Sequence, residues 1–248
     1  MENHIEAAFV RSNFIKSFHD NQYNSISRTD RGVNAVMNCF LLELDRSPNL
    51  KIINSQIKEG IPLLIYDFSE VGDDFNPRSV DFKVYQYFLS KSKSIYEIER
   101  LQKFVGEYDY FSFIKPDGAG AFNSMTAITK IEIFEESDFY KIEIYGDKFG
   151  REQIRRMIGF ILDPKFRYSN PKDFLNRRNK ILSIKPVAPQ FLTLLRVRFT
   201  QEFKWQGFKE LSYLIKRLQL SDASKLQLHE IYLRLSSELF SKSTNISE

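Results

Sequence analysis

The chain has 248 residues, with 36 lysines and arginines against 32 aspartates and glutamates, for a formal net charge of +4. Its single cysteine, Cys39, excludes an internal disulfide framework and sits in an apolar run where it reads as a small core residue. No run of about 18 uncharged apolar residues and no leader sequence is visible, so a soluble, cytoplasmic protein without a membrane span is expected.

The length allows one large or two small domains, and 23 phenylalanines make a sizeable core easy to build. Residues 1–18 predict a helix, with Ile5, Ala8, Phe9 and Phe14 on its apolar side. The polar segment Ser27-Arg28-Thr29-Asp30-Arg31-Gly32-Val33 then leads into an alternating run, Val36, Asn38, Phe40, Leu42 and Leu44, that predicts a strand over 35–45. Residues 48–59 predict a helix, with Pro48 near its start and Gly60 just past its end. The apolar run 62–68 predicts a buried strand. Residues 80–89 alternate, with Lys83, Tyr85, Tyr87 and Leu89 on one face and Phe82, Val84, Gln86 and Phe88 on the other.

A short helix is expected over 94–105 and a mobile glycine-rich loop over 115–123. A hairpin follows: Ile131 and Ile133 share a face, Glu135-Glu136-Ser137-Asp138 turns the chain, and Tyr140, Ile142 and Ile144 share a face on the return. Helices are expected over 150–162 and 171–182, and a closing strand over 191–199. Farther on, Phe208, Leu211, Leu214, Ile215 and Leu218, then Leu228, Ile231, Leu235 and Leu239, recur at helical spacing, with Ser221 as an N-cap between them. The whole predicts an α+β fold with a mainly antiparallel mixed sheet flanked by helices, and a C-terminal helical hairpin. Three parts are expected: 1–90 carrying the Asp30 loop, 91–200 completing the catalytic body, and a helical extension over 201–248.

Asp30, between Arg28 and Arg31 and two residues before Gly32, reads as one carboxylate presented on a sharp loop and kept ionised by its neighbours. Such a group serves as a nucleophile, a base or an anchor for an arginine, and a plain Asx-type turn accounts for the same residues on local chemistry. On the helix over 150–162 each residue turns by ~100°. With Ile154 at zero, Met157, Ile158, Ile161 and Leu162 form the buried stripe. Arg155 falls at ~100° and Arg151 at ~60°, both on the margin, while Arg156 falls at ~200° and is expected to meet solvent or phosphate. A marginal arginine is costly to desolvate without a carboxylate, and Asp30 is the expected partner, the two facing each other across an open hollow. Tyr85 and Tyr87 share a face, and pattern alone does not choose between them.

Cations cluster at Arg151, Arg155 and Arg156, at Arg177, Arg178 and Lys180, and at Arg196 and Arg198, an arrangement that suits a polyanion. His4, His19 and His229 are scattered and no glycine-rich phosphate loop is present, so neither a metal nor a nucleotide cofactor is expected.

The stretch Ser27-Arg28-Thr29-Asp30-Arg31-Gly32-Val33-Asn34-Ala35 resembles the signature loop G-R-T-D-x-G-V-H-A of the tRNA pseudouridine synthase A family, departing at Ser27 and Asn34. Other blocks follow in that family's order. Phe75-Asn76-Pro77-Arg78 resembles F-H-A-R, Lys83 to Tyr87 resembles R-Y-R-Y, and Asp109 to Phe113 resembles D-F-x-x-F. Gly146 to Phe149, with Ile154-Arg155 and Gly159, resembles G-N-A-F…M-V-R…G, and Ala188 to Leu194 resembles A-P-x-x-G-L-x-L.

The resemblance implies the pseudouridine synthase fold and an RNA uridine isomerase needing no cofactor. In that reaction the glycosidic bond breaks, the base turns, and it rejoins through carbon 5. The target nucleotide must first be flipped from the RNA stack, at a cost of a few kcal/mol. Asp30 is the implied nucleophile, at the base or at the sugar. Arg155 keeps it ionised and fills the space left by the base, and Tyr85 stacks on the uracil and helps move the proton from carbon 5. Arg28, Arg31, Arg78, Lys148, Arg151 and Arg156 are the implied RNA-binding residues. The implied substrate is tRNA at its anticodon stem-loop, and the implied assembly a homodimer. The family pattern opens with a strand and a Y-D-G…G-x-Q segment, whereas this chain begins inside the following helix, so one sheet strand is expected to be missing. A non-catalytic RNA-binding or RNA-folding module of the same descent is the alternative.

Overall fold

The computed structural model describes residues 1–77, 79–91, 94–116, 123–177 and 182–206. In chain order these form α1 (Glu2–Arg11), β1 (Asn24–Ser25), β2 (Asn34–Ala35), β3 (Phe40–Leu41), α2 (Leu50–Ser55), β4 (Val80–Ser90), α3 (Ile95–Glu99), β5 (Gly106–Asp109), β6 (Met125–Glu135), β7 (Phe139–Gly146), α4 (Gln153–Leu162) and β8 (Leu192–Phe199). Two compact units result. One holds Met1–Ser27, Cys39–Ser79 and, among the described residues, 201–206, the other Arg28–Asn38 and Val80–Thr200.

In the first unit, Ile5, Ala8 and Phe9 of α1 meet Leu50, Ile53 and Ile57 in a core completed by Ile15 and Ile65. Helix α1 stops well before residue 18. The Ser12 hydroxyl donates to the Ala8 and Phe9 carbonyls, and Asn13 turns the chain at φ 56°. Phe14 therefore reaches the same core from outside the helix. The Asn49 side chain caps α2 by accepting from the Ile52 N–H at 3.1 Å.

The predicted strand over 35–45 exists only as two separate pairs of residues, because the chain changes unit between Asn38 and Cys39. β2 joins the sheet of the second unit, while β3 pairs antiparallel with β1 in the first. Phe40, Leu42 and Leu44 keep their expected place against the first core. The apolar run 62–68 is not a strand. The buried Asn54 supplies what a neighbouring strand would have supplied: its Oδ1 accepts from the Ile65 N–H at 2.9 Å, and its Nδ2 donates to the Ile65 carbonyl at 2.7 Å.

The second unit is built on a six-stranded sheet in the order β2-β8-β4-β7-β6-β5. Only the β2–β8 pair is parallel. The register puts Tyr85, Ile144 and Ile131 in one row and Tyr87, Ile142 and Ile133 in the next, on a shared face. β4 lies between two neighbours, and Val84 and Gln86 are as buried as Tyr85 and Tyr87. Between Val84 and Tyr85 the pairing with β8 slips by a bulge, which re-aims side chains beside Tyr85. Ser94 opens α3 with a capping box to Glu97, and a 3₁₀ turn over Arg100–Phe104 continues it.

Buried nearly all round, α4 inserts Phe160 among Phe104, Phe113 and Phe166. Gly159 lets the helix backbone touch another segment, since a Cβ there would lie 2.3 Å from the Lys185 carbonyl oxygen. The helix expected over 171–182 is a 3₁₀ turn, Pro171–Phe174, in its described part. The glycine-rich loop from 117 to 122 and the C-terminal hairpin lie outside the described residues. No described helix is long and apolar enough to cross a membrane.

Candidate active site

The Asp30 loop is seated by the block just before β8. The Val33 N–H donates to the Asp30 carbonyl at 3.0 Å, closing a turn in which Gly32 sits at φ 87°. A Cβ on Gly32 would lie 3.1 Å from Pro189 Cγ, so the position needs glycine both for its dihedral and for its neighbour. Asn34 Nδ2 donates to the Gln190 carbonyl at 2.9 Å, β2 pairs with Thr193 and Leu194, and the Val36 N–H reaches the Leu194 carbonyl at 2.9 Å. Two sequence blocks more than 150 residues apart therefore fix one loop.

Across from it, α4 delivers Arg155. Its Nε and NH2 donate to Asp30 Oδ2 at 3.2 and 2.9 Å, and its NH1 donates to the Val187 carbonyl at 3.0 Å. The Arg155 side chain is 8 % exposed and that of Asp30 21 %. The expected partners thus meet, but in direct contact, with no base-sized gap between them. Both contacts fall on Oδ2, and Oδ1 carries no hydrogen bond among the described residues.

Arg156 departs from expectation. It does not face solvent: its side chain is 12 % exposed, its Nε donates to Glu152 Oε2 at 3.1 Å and its NH1 to the Leu182 carbonyl at 3.4 Å. A helix packed on nearly every side leaves little free face, and Glu152, four residues earlier, is in reach. Glu152 itself was not singled out by the sequence reading. It precedes α4 at φ 59°, and its Oε1 lies 3.4 Å from Lys115 Nζ and 3.7 Å from Arg155 NH2. Burial would raise its carboxyl, but hydrogen bonds and charge from Arg156 and Lys115 outweigh this and hold it below the ordinary value. Three cations, Lys115, Arg155 and Arg156, thus surround two carboxylates, Asp30 and Glu152.

Tyr85 and Tyr87 both border the pair. Burial, and then the charge of Asp30, push the Tyr85 hydroxyl far above its usual value. Burial carries Tyr87 up to about 12 against the opposing charge of Arg155. The Tyr85 ring meets Phe149 edge-on at 5.2 Å, and its hydroxyl has no hydrogen-bond partner among the described residues. Burial also lowers Lys83, on the same strand face, and Asp147 partly offsets the shift.

Of the other residues singled out for RNA, Arg28, Arg31, Lys148 and Arg151 are exposed, and Lys148 Nζ stands 4.0 Å from Asp147. Arg78, Arg178 and Lys180 lie outside the described residues. Among the described residues no cluster of three or more His, Cys, Asp and Glu side chains is placed to hold a metal ion.

A carboxylate–guanidinium pair with one carboxylate oxygen unengaged thus lies beside tyrosines of the neighbouring strand and among further cations, an arrangement open to a nucleophile, a base or an anchor. Comparison with known proteins gives the family. A family model described as tRNA pseudouridine synthase matches residues 101–200. The chain is similar to the tRNA pseudouridine synthase A of Thermoplasma volcanium, 30% identical over 226 residues, covering 86% of this chain and 86% of the relative. It is 28% identical over 235 residues to that of Pyrococcus furiosus, covering 91% and 84%. It is 34% identical over 148 residues to that of Thermoplasma acidophilum, where the match spans 58% of this chain and 56% of the relative. The chain belongs to the tRNA pseudouridine synthase A family, a family of isomerases.

Proposed function

We propose that this chain isomerises uridine to pseudouridine in the anticodon stem-loop of tRNA, with Asp30 as nucleophile. The observation that carries the reading is the ion pair through Oδ2 alone, which leaves Oδ1 of an oriented carboxylate unengaged. Exposed Arg28 and Arg31 flank the attacking group, where they offer cations to the phosphates of a flipped nucleotide. Attack at the sugar forms an Asp30–C1′ bond and breaks the glycosidic bond, its electron pair leaving on uracil N1. Attack at the base forms a bond to carbon 6 and moves the ring double-bond pair to the carbonyl oxygen on carbon 4. In both modes Arg155 holds Asp30 aimed beforehand, and Tyr85 stacks against the base and takes part in moving the carbon-5 proton. Arg31, Lys148 and Arg151 extend the RNA contact. A homodimer working in the cytoplasm completes the proposal, resting on family resemblance.

Tritium release from tRNA carrying 5-tritiated uridine tests the reading. Wild type releases tritium, and Asp30→Asn binds tRNA with comparable affinity but releases none. Wild-type binding without release overturns the reading in favour of a non-catalytic RNA-binding module.

A further inference from the structure

We propose that Glu152 is a positioning residue that keeps the Arg155 guanidinium in place while Asp30 is bonded to the substrate. This rests on Asp30 being the nucleophile.

Arg155 NH2 faces two carboxylates, Asp30 Oδ2 at 2.9 Å and Glu152 Oε1 at 3.7 Å. Before attack, Asp30 is the closer. Once an Asp30 oxygen bonds to carbon, its carboxylate becomes an ester and the negative charge passes to uracil N1 or to the carbon-4 oxygen. Arg155, only 8 % exposed, then loses its counter-ion in a setting where water compensates little. Glu152 is the one other carboxylate recorded within ion-pair distance of Arg155 among the described residues. Closing that gap to a charge-assisted hydrogen bond of about 2.8 Å takes a movement of about 1 Å.

Glu152 is held ready for this. Lys115 Nζ at 3.4 Å and Arg156 Nε at 3.1 Å fix its two oxygens. Its own backbone sits at φ 59°, a left-handed conformation that is unfavourable for glutamate. The fold places glutamate where glycine would be easier, and the Glu152 side chain makes no capping hydrogen bond to α4.

The test compares Glu152→Gln, Glu152→Asp and Glu152→Gly in the full chain, by tritium release and thermal unfolding. We expect kcat to fall at least about tenfold in Glu152→Gln with KM for tRNA within about twofold, a shift of roughly 1.4 kcal/mol in the barrier. Glu152→Asp, which keeps the charge, recovers part of the loss. Glu152→Gly loses kcat like Glu152→Gln while its Tm holds or rises, because glycine suits the left-handed backbone. Wild-type release with the Glu152→Gln kcat unchanged overturns the role of Glu152 and leaves Asp30 as nucleophile. So does a loss confined to KM, or a loss in all three variants that merely follows Tm. A wild type that releases no tritium overturns both.

Discussion

Replacing Arg155 with alanine isolates the interaction on which the site is built. The guanidinium makes two hydrogen bonds to Asp30 Oδ2 and one to the Val187 carbonyl. Hydrogen bonds to charged groups contribute about 1.5–3 kcal/mol, and breaking a fully buried ion pair costs about 3–5 kcal/mol. The Asp30 side chain is 21 % exposed, so water relieves part of the cost of orphaning it. We therefore expect Arg155→Ala to destabilise by about 2–3 kcal/mol, a fall in Tm of roughly 5–10 °C for a chain of this size. Thermal unfolding of wild type, Arg155→Ala, Asp30→Asn and the double variant closes a cycle that removes the Val187 contribution. The coupling should be about 1.5–2.5 kcal/mol. A coupling within about 0.5 kcal/mol of zero refutes the pair as an energetic unit. In turnover, Arg155→Ala should abolish release at saturating tRNA while Arg156→Ala retains much of it, and equal losses refute the division of roles.

Tyr85→Phe should leave stability within about 0.5 kcal/mol, since the hydroxyl has no recorded partner, yet slow turnover; a large fall in Tm would make the hydroxyl structural. Gly32→Ala should cost about 1–3 kcal/mol through its φ of 87° and its approach to Pro189, read as a lowered Tm. An unchanged Tm would mean that the loop does not need this turn. The depressed Glu152 carboxyl contributes stability that is complete above the ordinary glutamate value of 4.5 and is lost as pH falls through its folded value. Tm profiles of wild type and Glu152→Gln should therefore differ at about pH 7 and draw together as pH falls below 4.5, and parallel profiles would refute the linkage.

Long periodic elements were legible in the sequence because burial imposes periodicity. β4, β6, β7 and β8 alternate and α4 carries its stripe, so the sheet and the helix that delivers Arg155 stand where pattern put them. Short or substituted pairing leaves no such trace. Residues 62–68 look like a strand since they are apolar and extended, but at Ile65 a side chain, Asn54, meets the backbone where a neighbouring strand would have done so. The run 35–45 alternates across a change of unit that its periodicity does not mark. Helical angle placed Arg155 on the margin but left Arg151 equally eligible, and family resemblance separated them. The wheel misread Arg156 because it treats the far face of a helix as solvent, which fails where surrounding turns cover it. The spacing of Glu152 and Arg156 was readable as a four-residue ion pair, whereas the approach of Lys115 was not, being purely tertiary.

The seat of the Asp30 loop has a consequence for biosynthesis. Asn34 and Gln190, which latch it, are 156 residues apart, and β2 has no place to dock until β8 exists. A ribosome emits Asp30 well before the strand that anchors its loop. The seat on which Asp30 faces Arg155 can therefore close only after residues 190–194 have been made.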